Sequence, residues 1–375
     1  MSNGKVMVIG LGEVGGYALE FLARTPGIAE IIAADVREEF GLRKVHLAAV
    51  GASYQGFTPN IDFIKMDLND IDSTAEVISR TEPNVILNAT TLQSWFVPLL
   101  LPAEISHKLG PQGNDVSMHL TLTYKLMKAV HEAKIRCHVI NASYADVTNS
   151  ILEKVGLAPT IGLGNIDLVV QCLRHFVCRK LDVCISDVTV LMVAHHAVIF
   201  DIGNKGRVGE MPYYLKVLVC GDDVTDQFDF KKTAPQLYGY VPLGAGSSPQ
   251  VSSSGVKNIL ALLNDTKQLT HSPGPNGLPG GYPVRLSARG AQVALPKEVS
   301  LKEAIRINEE GARCDGIERI EDDGTVVYTD EAVKGLADLL GMPQKKFNVK
   351  ESEQRAKAFL AAYNRLVERC GTRST

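Results

Sequence analysis

The sequence contains no CxxC pair. Its seven cysteines, Cys137, Cys172, Cys178, Cys184, Cys220, Cys314 and Cys370, are dispersed and odd in number. That pattern reads as reduced thiols, and it excludes a disulfide framework or a cysteine-held zinc cluster. The opening MSNGKVMVIG lacks the long apolar stretch and cleavage site of a secretory signal, and the run Val6 to Ile9 is too short to span a bilayer. A cytoplasmic location and no membrane partner are therefore expected. Basic runs interleaved with aromatics are absent, and the net charge is −3, so nucleic acid is not an expected partner. Internal repeats and long low-complexity tracts are missing too.

What is present is ordinary globular material. Hydrophobic residues make up 45% and charged residues 22% of 375 positions, enough apolar chain for two cores and, at this length, two domains. In the first half, short apolar runs alternate with helix-compatible stretches. The runs are Lys5–Gly10, Glu30–Val36, Asp62–Leu68, Asn84–Ala89 and Cys137–Ala142, each bounded by turn or polar residues, as strands buried on both faces should be. Helical patterns fall at 14–24, 41–52, 73–82 and 118–133. This order predicts an α/β fold with a doubly wound parallel sheet of the Rossmann kind. The texture changes after residue 158. Residues 1–158 are expected to form the Rossmann domain and 159–375 an α+β domain. Within the latter, 167–181 and 351–369 read as helices, 188–193 and 213–220 as strands, and His271–Tyr282 (HSPGPNGLPGGY) as loop.

The strongest local signal is Gly10-Leu11-Gly12-Glu13-Val14-Gly15, a GxGxxG set between a strand and a helix. Gly10 permits the tight turn, Gly12 lets backbone approach a pyrophosphate, and Gly15 allows close helix–strand packing, while the helix N-terminus offers free N–H groups. Asp35 ends the second strand twenty residues after Gly15, where a carboxylate can accept from a ribose 2′-hydroxyl. Its neighbours Val36 and Arg37, and Asn88, Ala89 and Thr90 after the fourth strand, complete the expected cofactor contacts. Asp35 favours NAD, since it would repel a 2′-phosphate; Arg37 could receive that phosphate and keeps NADP open.

From Cys137 onward, several pieces follow a known order: CHVINASYADVTNSILEKVGL, IGLGNID, VTVLMVAHHAVIF, and SSSGVKNILALLNDTKQ followed by GGYPVRLSARG. With the glycine turn, the chain resembles a remote member of the lactate/malate dehydrogenase superfamily. The resemblance implies an NAD(P)-dependent dehydrogenase or reductase that moves hydride between the cofactor and a hydroxyl or carbonyl carbon of a small polar substrate. It carries Asn141 to the substrate-orienting position, Asp167 to the carboxylate that orients an imidazole, and His196 to the general acid/base, with His195 as the rival. It puts Ser253, within one residue, near an active-site hydroxyl, and it implies a homo-oligomer. Independently, a proton acceptor for a hydroxyl undergoing hydride loss is well served by an imidazole whose other nitrogen is bonded to a carboxylate.

The departures are informative. The family's substrate-clamping Arg, three residues after its catalytic Asp, is Val170 here, and the segment TTLQSWFVPLLLPAEISHKLGPQGN contains no Arg. A larger or less anionic substrate than a 2-hydroxy monocarboxylate is expected. Trp95 to Leu101, an apolar run with Trp95 and Phe96, is expected to close over the site or join subunits. Two other resemblances stand beside the first. One is to NAD-dependent glycoside hydrolases of the α-glucosidase-like family, whose metal-binding Cys is Gly164 here; the other is to saccharopine- or opine-type (imine) dehydrogenases. No metal is expected.

Overall fold

Val6, Met7, Val8 and Ile9 are buried in succession because their strand lies inside a sheet covered on both faces. The computed structural model of the protein describes residues 4–110, 115–205, 207–237 and 244–372. Strand β1 (Gly4–Ile9) pairs in parallel with β2 (Ile28–Asp35) on one side and β4 (Val85–Asn88) on the other. The six-stranded parallel sheet runs β3-β2-β1-β4-β5-β6, with β3 at Ile61–Lys65, β5 at His138–Asn141 and β6 at Ile161–Gly162. The strand order reverses between β1 and β4, and ligands of such sheets bind at that reversal, outside the carboxyl ends of the strands. The crossovers carry α1 (Glu13–Ala23), α2 (Glu38–Tyr54), α3 (Ile71–Thr81), α4 (Ala103–Leu109), α5 (Val116–Ala133) and α6 (Ala145–Glu153).

Local chemistry fixes the ends of these helices. Asp70 caps α3 by accepting from Ser73 N–H, and Asp115 caps α5 by accepting from Ser117 N–H. The sequence-based bounds of α2 and α5 fall two to three residues short, at the places where capping and first-turn polar residues mask the apolar period.

The rest of the chain builds three small antiparallel sheets. Helix α7 (Ile166–Leu181) leads into β7 (Val188–Val193), α8 (Ala197–Lys205), β8 (Tyr214–Val219), β9 (Asp222–Asp223) and α9 (Phe230–Leu237), with sheet order β7-β8-β9. Helix α10 (Ser248–Leu263) precedes β10 (Gln268–Pro273), β11 (Gly281–Ser287) and β12 (Gly290–Val293). Helix α11 (Leu301–Cys314), β13 (Ile317–Ile320), β14 (Thr325–Tyr328), α12 (Asp330–Leu340), β15 (Lys346–Asn348) and α13 (Ser352–Cys370) complete it. His271–Tyr282 is a loop only in its middle. Its ends belong to β10 and β11, which pair from Gln268↔Leu286 to Pro273↔Gly281. Pro273 hides the strand because it stands at the end of the ladder, where no backbone donor is needed.

Both large cores draw on residues from either side of position 158. One joins β1 and α1 to α10, β11 and α11 through Val8, Leu19, Ile259, Tyr282 and Ile307. The other joins β4, α5 and α6 to the C-terminal sheet through Ile86, Leu120, Ile151, Val326 and Phe347. Among the described residues no helix is long and apolar enough to cross a membrane.

Candidate active site

The glycine turn follows directly from β1. Gly10 has φ +85°, and a Cβ there would stand 2.9 Å from the Ala89 carbonyl oxygen. A Cβ on Gly15 would lie 1.8 Å from the Gly10 oxygen, so that position tolerates only glycine. Gly12 differs: a Cβ would meet nothing within 4 Å, although the residue stands at the N-cap of α1 with no side chain bonding its free N–H groups. The space in front of that helix start is therefore open to an anion. Leu11 is buried and Glu13 is exposed, while the Val14 carbonyl accepts from Ser252 Oγ at 2.7 Å.

Asp35, at the end of β2, accepts from Leu11 N–H at 2.9 Å and from Arg37 N–H at 2.9 Å, and Arg37 Nε lies 3.2 Å away. Burial opposes its ionisation, but the hydrogen bonds from Arg37 and Leu11 outweigh burial and hold the carboxyl below its usual pKa. Val36 is half exposed, and the Arg37 guanidinium sits 3.9 Å above the Phe40 ring.

At the neighbouring strand ends, Asn88 and Asn141 are paired across β4 and β5. Asn88 Nδ2 donates to Asn141 Oδ1 at 3.1 Å, and Asn88 Oδ1 accepts from Thr90 N–H and Oγ1. Asn141 Nδ2 reaches Thr148 Oγ1 and Asn149 Oδ1, and its Oδ1 also accepts from Ser143 N–H. Both side chains are fully buried and fully used. This corrects the expected role of Asn141. It ties the strand ends together and has no polar atom left to orient a substrate. Asn88, equally buried, also donates to Thr123 Oγ1 at 3.1 Å.

The imidazoles form a buried polar cluster at the same edge of the sheet. His195 and His196 follow β7, with ring centroids 4.4 Å apart. His196 Nε2 lies 3.3 Å from Asp315 Oδ2, and its Nδ1 lies 3.6 Å from Asp146 Oδ2. Asp146 Oδ1 accepts from His196 N–H, and its Oδ2 accepts from Asn165 Nδ2. Tyr144 Oη donates to Asp315 and its ring meets His196 edge-on at 5.1 Å. His119 joins through Thr91 Oγ1 at 3.1 Å and Ser143 Oγ at 3.3 Å. Tyr144 and Asn165 both have positive φ, and Asn165, at φ 54° and ψ −122°, occupies backbone space that normally belongs to glycine; such strain concentrates at functional sites.

Electrostatics separates the two neighbours. Burial disfavours charge on His196, but Asp315 and Asp146 overcome it and push its pKa up to about 10. Burial, reinforced by the His196 charge, pushes His195 down to about 4, and burial does the same to His119. Asp146 is held below its usual value because the adjacent His196 outweighs its burial. The surroundings thus favour the charged form of His196 and the neutral forms of His195 and His119.

Asp167 is the second correction. It does not approach His196. Its Oδ2 accepts from Ser254 Oγ at 2.6 Å and Lys257 Nζ at 2.5 Å, where it faces a separate cleft of about 650 Å³ between α7, α10 and β10. The first residues of α7 are turned toward α10, so Ser254 and Lys257 hold one oxygen of the carboxylate that the resemblance assigns to the imidazole, while its Oδ1 is buried without a partner. Ser253 is exposed and bonds only the Pro249 carbonyl, one helix position away from the buried Ser252 and Ser254.

Trp95 is linked to the cluster through one aromatic neighbour. Its ring packs edge-on at 5.6 Å against Phe200, which in turn meets His196 at 5.5 Å. The expected covering segment is a short 3-10 turn at Val97–Leu100 followed by α4; residues 111–114 of the Arg-free stretch lie outside the described residues. Sequence reasoning missed Asp146, Asp315, Tyr144 and His119. Tyr144 and Asp146 directly follow β5, where the strand-end rule could have found them. Asp315 lies 119 residues after His196 in the connection from α11 to β13, and nothing local marks it.

No protein-family model matches the chain, and no curated protein does. Its fold is shared with solved dehydrogenases at low identity. A lactate dehydrogenase from Eimeria maxima with NADH and oxamate matches with a TM-score of 0.58 at 13% identity, over 83% of this chain and 92% of that one. A malate dehydrogenase from Salinibacter ruber matches with 0.54 at 17%, over 97% and 99%. A lactate dehydrogenase from Cryptosporidium parvum, complexed with lactic acid and nicotinamide adenine dinucleotide, matches with 0.54 at 16%, over 84% and 99%. The two-domain α/β architecture of lactate and malate dehydrogenases is thus the architecture of this chain.

Proposed function

We propose that the protein is an NAD(P)-dependent oxidoreductase, with NAD the preferred cofactor, that transfers hydride at a hydroxyl or carbonyl carbon of a small polar substrate. One observation carries the proposal. An uncapped helix start with open space at Gly12 shares the carboxyl edge of one parallel sheet with a buried imidazole set between the carboxyl groups of Asp146 and Asp315. The dinucleotide pyrophosphate would lie against Gly10–Gly15, with Asp35 receiving the adenosine ribose. When bound, the cofactor supplies or accepts the hydride at its nicotinamide ring. The chain's own part is the oxygen. In the reducing direction the substrate carbonyl carbon gains hydride while His196 gives its proton to the oxygen; in the oxidising direction both return. Asp146 and Asp315 position the imidazole and stabilise its charge, in place of Asp167. Residues 1–158 would hold the dinucleotide, and 159–375 would add His195, His196 and Asp315. The solved dehydrogenases of this fold, two of them bound to nicotinamide dinucleotides, support the cofactor class.

The test is a panel of hydroxy acids, sugars and their oxo forms with NAD, NADP and their reduced forms, followed at the reduced nicotinamide absorbance. Turnover that falls 10²–10⁴-fold in His196→Gln, with cofactor affinity kept, is the expected result. Full activity in His196→Gln with a dead His195→Gln would give the proton to His195. No dinucleotide binding at all would end the proposal.

A further inference from the structure

Two ring nitrogens in the cluster, His195 Nε2 and His196 Nδ1, are buried and have no hydrogen-bond partner. Unpaired buried polar atoms are uncommon in folded proteins and call for an occupant. Water is one such occupant, but the third group present here is a carboxylate, and that changes the chemistry. Ligand atoms from Asp146, His195 and His196 all lie within 4.8 Å of one another, and the three residues are buried. His196 Nδ1 and Asp146 Oδ2 are already 3.6 Å apart. Around a tetrahedral zinc-sized ion with bonds near 2.0–2.1 Å, donor atoms stand about 3.3 Å from each other.

We infer that Asp146, His195 and His196 form a binding site for one divalent transition-metal ion of the zinc class. Two imidazole nitrogens and one carboxylate oxygen are the donor set that borderline ions favour over magnesium or calcium. The surroundings agree with that role. The other nitrogen of His196, Nε2, faces Asp315 Oδ2 at 3.3 Å, the carboxylate–histidine arrangement that fixes a metal-bound imidazole. Asn165 holds Asp146 from a strained backbone, which keeps the carboxylate aimed at the two rings. One contact must loosen: the Ala197 N–H that reaches His195 Nδ1 at 3.3 Å, because metal on Nε2 puts the ring proton on Nδ1. No cysteine takes part, so the cysteine pattern says nothing about this site.

Metal and proton compete for one atom. An ion on His196 Nδ1 displaces any proton on that nitrogen, so occupancy suspends proton transfer through it. The site itself does not depend on that reading, and binding is measured without turnover.

The experiment is a titration of chelator-stripped, refolded-free native protein with zinc against a chromogenic zinc indicator, with NAD affinity measured on the same samples. One zinc per chain is expected, and the melting temperature should rise with free zinc as mass action requires. Asp315→Asn should weaken zinc 10–100-fold. His195→Gln and Asp146→Asn should weaken it at least as much, with NAD affinity retained in every folded variant. Wild-type protein that binds NAD but no zinc, or zinc affinity unchanged in folded His195→Gln, would overturn the site. Zinc binding without NAD binding would instead leave the site standing and overturn the cofactor reading.

Discussion

His196 Nε2 lies 3.3 Å from Asp315 Oδ2, joining the end of β7 to the connection that follows α11. The same Asp315 oxygen accepts from Tyr144 at the end of β5. A single carboxylate thus links the parallel sheet to both later segments. Its removal should be felt in folding and in chemistry. Asp315→Ala leaves the imidazolium with one partner, and breaking a buried pair in this way costs about 3–5 kcal/mol. Denaturant unfolding should show that loss, while Asp315→Asn, which keeps an oxygen acceptor, should lose clearly less.

The pH dependence of stability follows from the same cluster in metal-free protein. His196 is raised from its ordinary 6.5 to about 10, so its contribution is full below about 6.5 and is lost as pH climbs toward 10. His195 and His119 are depressed to about 4; their contributions are full above about 6.5 and are lost as pH falls through 4. The groups facing His196 that shape this profile are Asp146, Asp315, His195 and Tyr144. Melting temperatures should peak near neutrality and decline on both sides. In His196→Gln the alkaline decline should flatten, and an unchanged alkaline limb would contradict the assignment.

Cofactor selection turns on two adjacent residues. Asp35→Ala should weaken NAD binding by tenfold or more, since a ribose hydroxyl loses its charged acceptor, a bond worth about 1.5–3 kcal/mol. NADP should lose less or gain, because Arg37 is freed from its contact with the carboxylate. Calorimetric titration with both dinucleotides decides, and unchanged NAD affinity in Asp35→Ala would move the ribose elsewhere.

Trp95 offers an optical readout. It is the sole tryptophan, and Phe200 alone separates its ring from His196 along the aromatic stack. Its fluorescence should change when cofactor and substrate bind together. A signal indifferent to ligand but dependent on protein concentration would assign the segment to a subunit contact.

The sequence made the sheet legible because the buried strands are uninterrupted apolar runs and the glycine turn has a mechanical reason at each position. The C-terminal half was harder to read. Pro273, Gly280 and Pro283 disguise β10 and β11 as loop, and the tertiary pairing that makes them strands is invisible in one dimension. At the site, the resemblance pointed to His195 and His196, and the carboxylate that it assigned as their partner, Asp167, pairs with Lys257 on another helix. Asn141 came from the resemblance, and its saturation by Ser143, Thr148 and Asn149 is a property of packing. Asp315 could come only from the fold.

The most direct test of the central claim uses the glycines against one another. Gly12 has open space and ordinary φ, whereas Gly15 packs on the Gly10 carbonyl. Gly12→Val should therefore fold with a wild-type melting temperature yet lose NAD binding by at least a hundredfold, because its side chain fills the space reserved for the pyrophosphate. Gly15→Val should fail to fold stably. Calorimetric titration of NAD into folded Gly12→Val settles the matter: loss of binding is the predicted result, and wild-type affinity would contradict the account of this turn as a dinucleotide site.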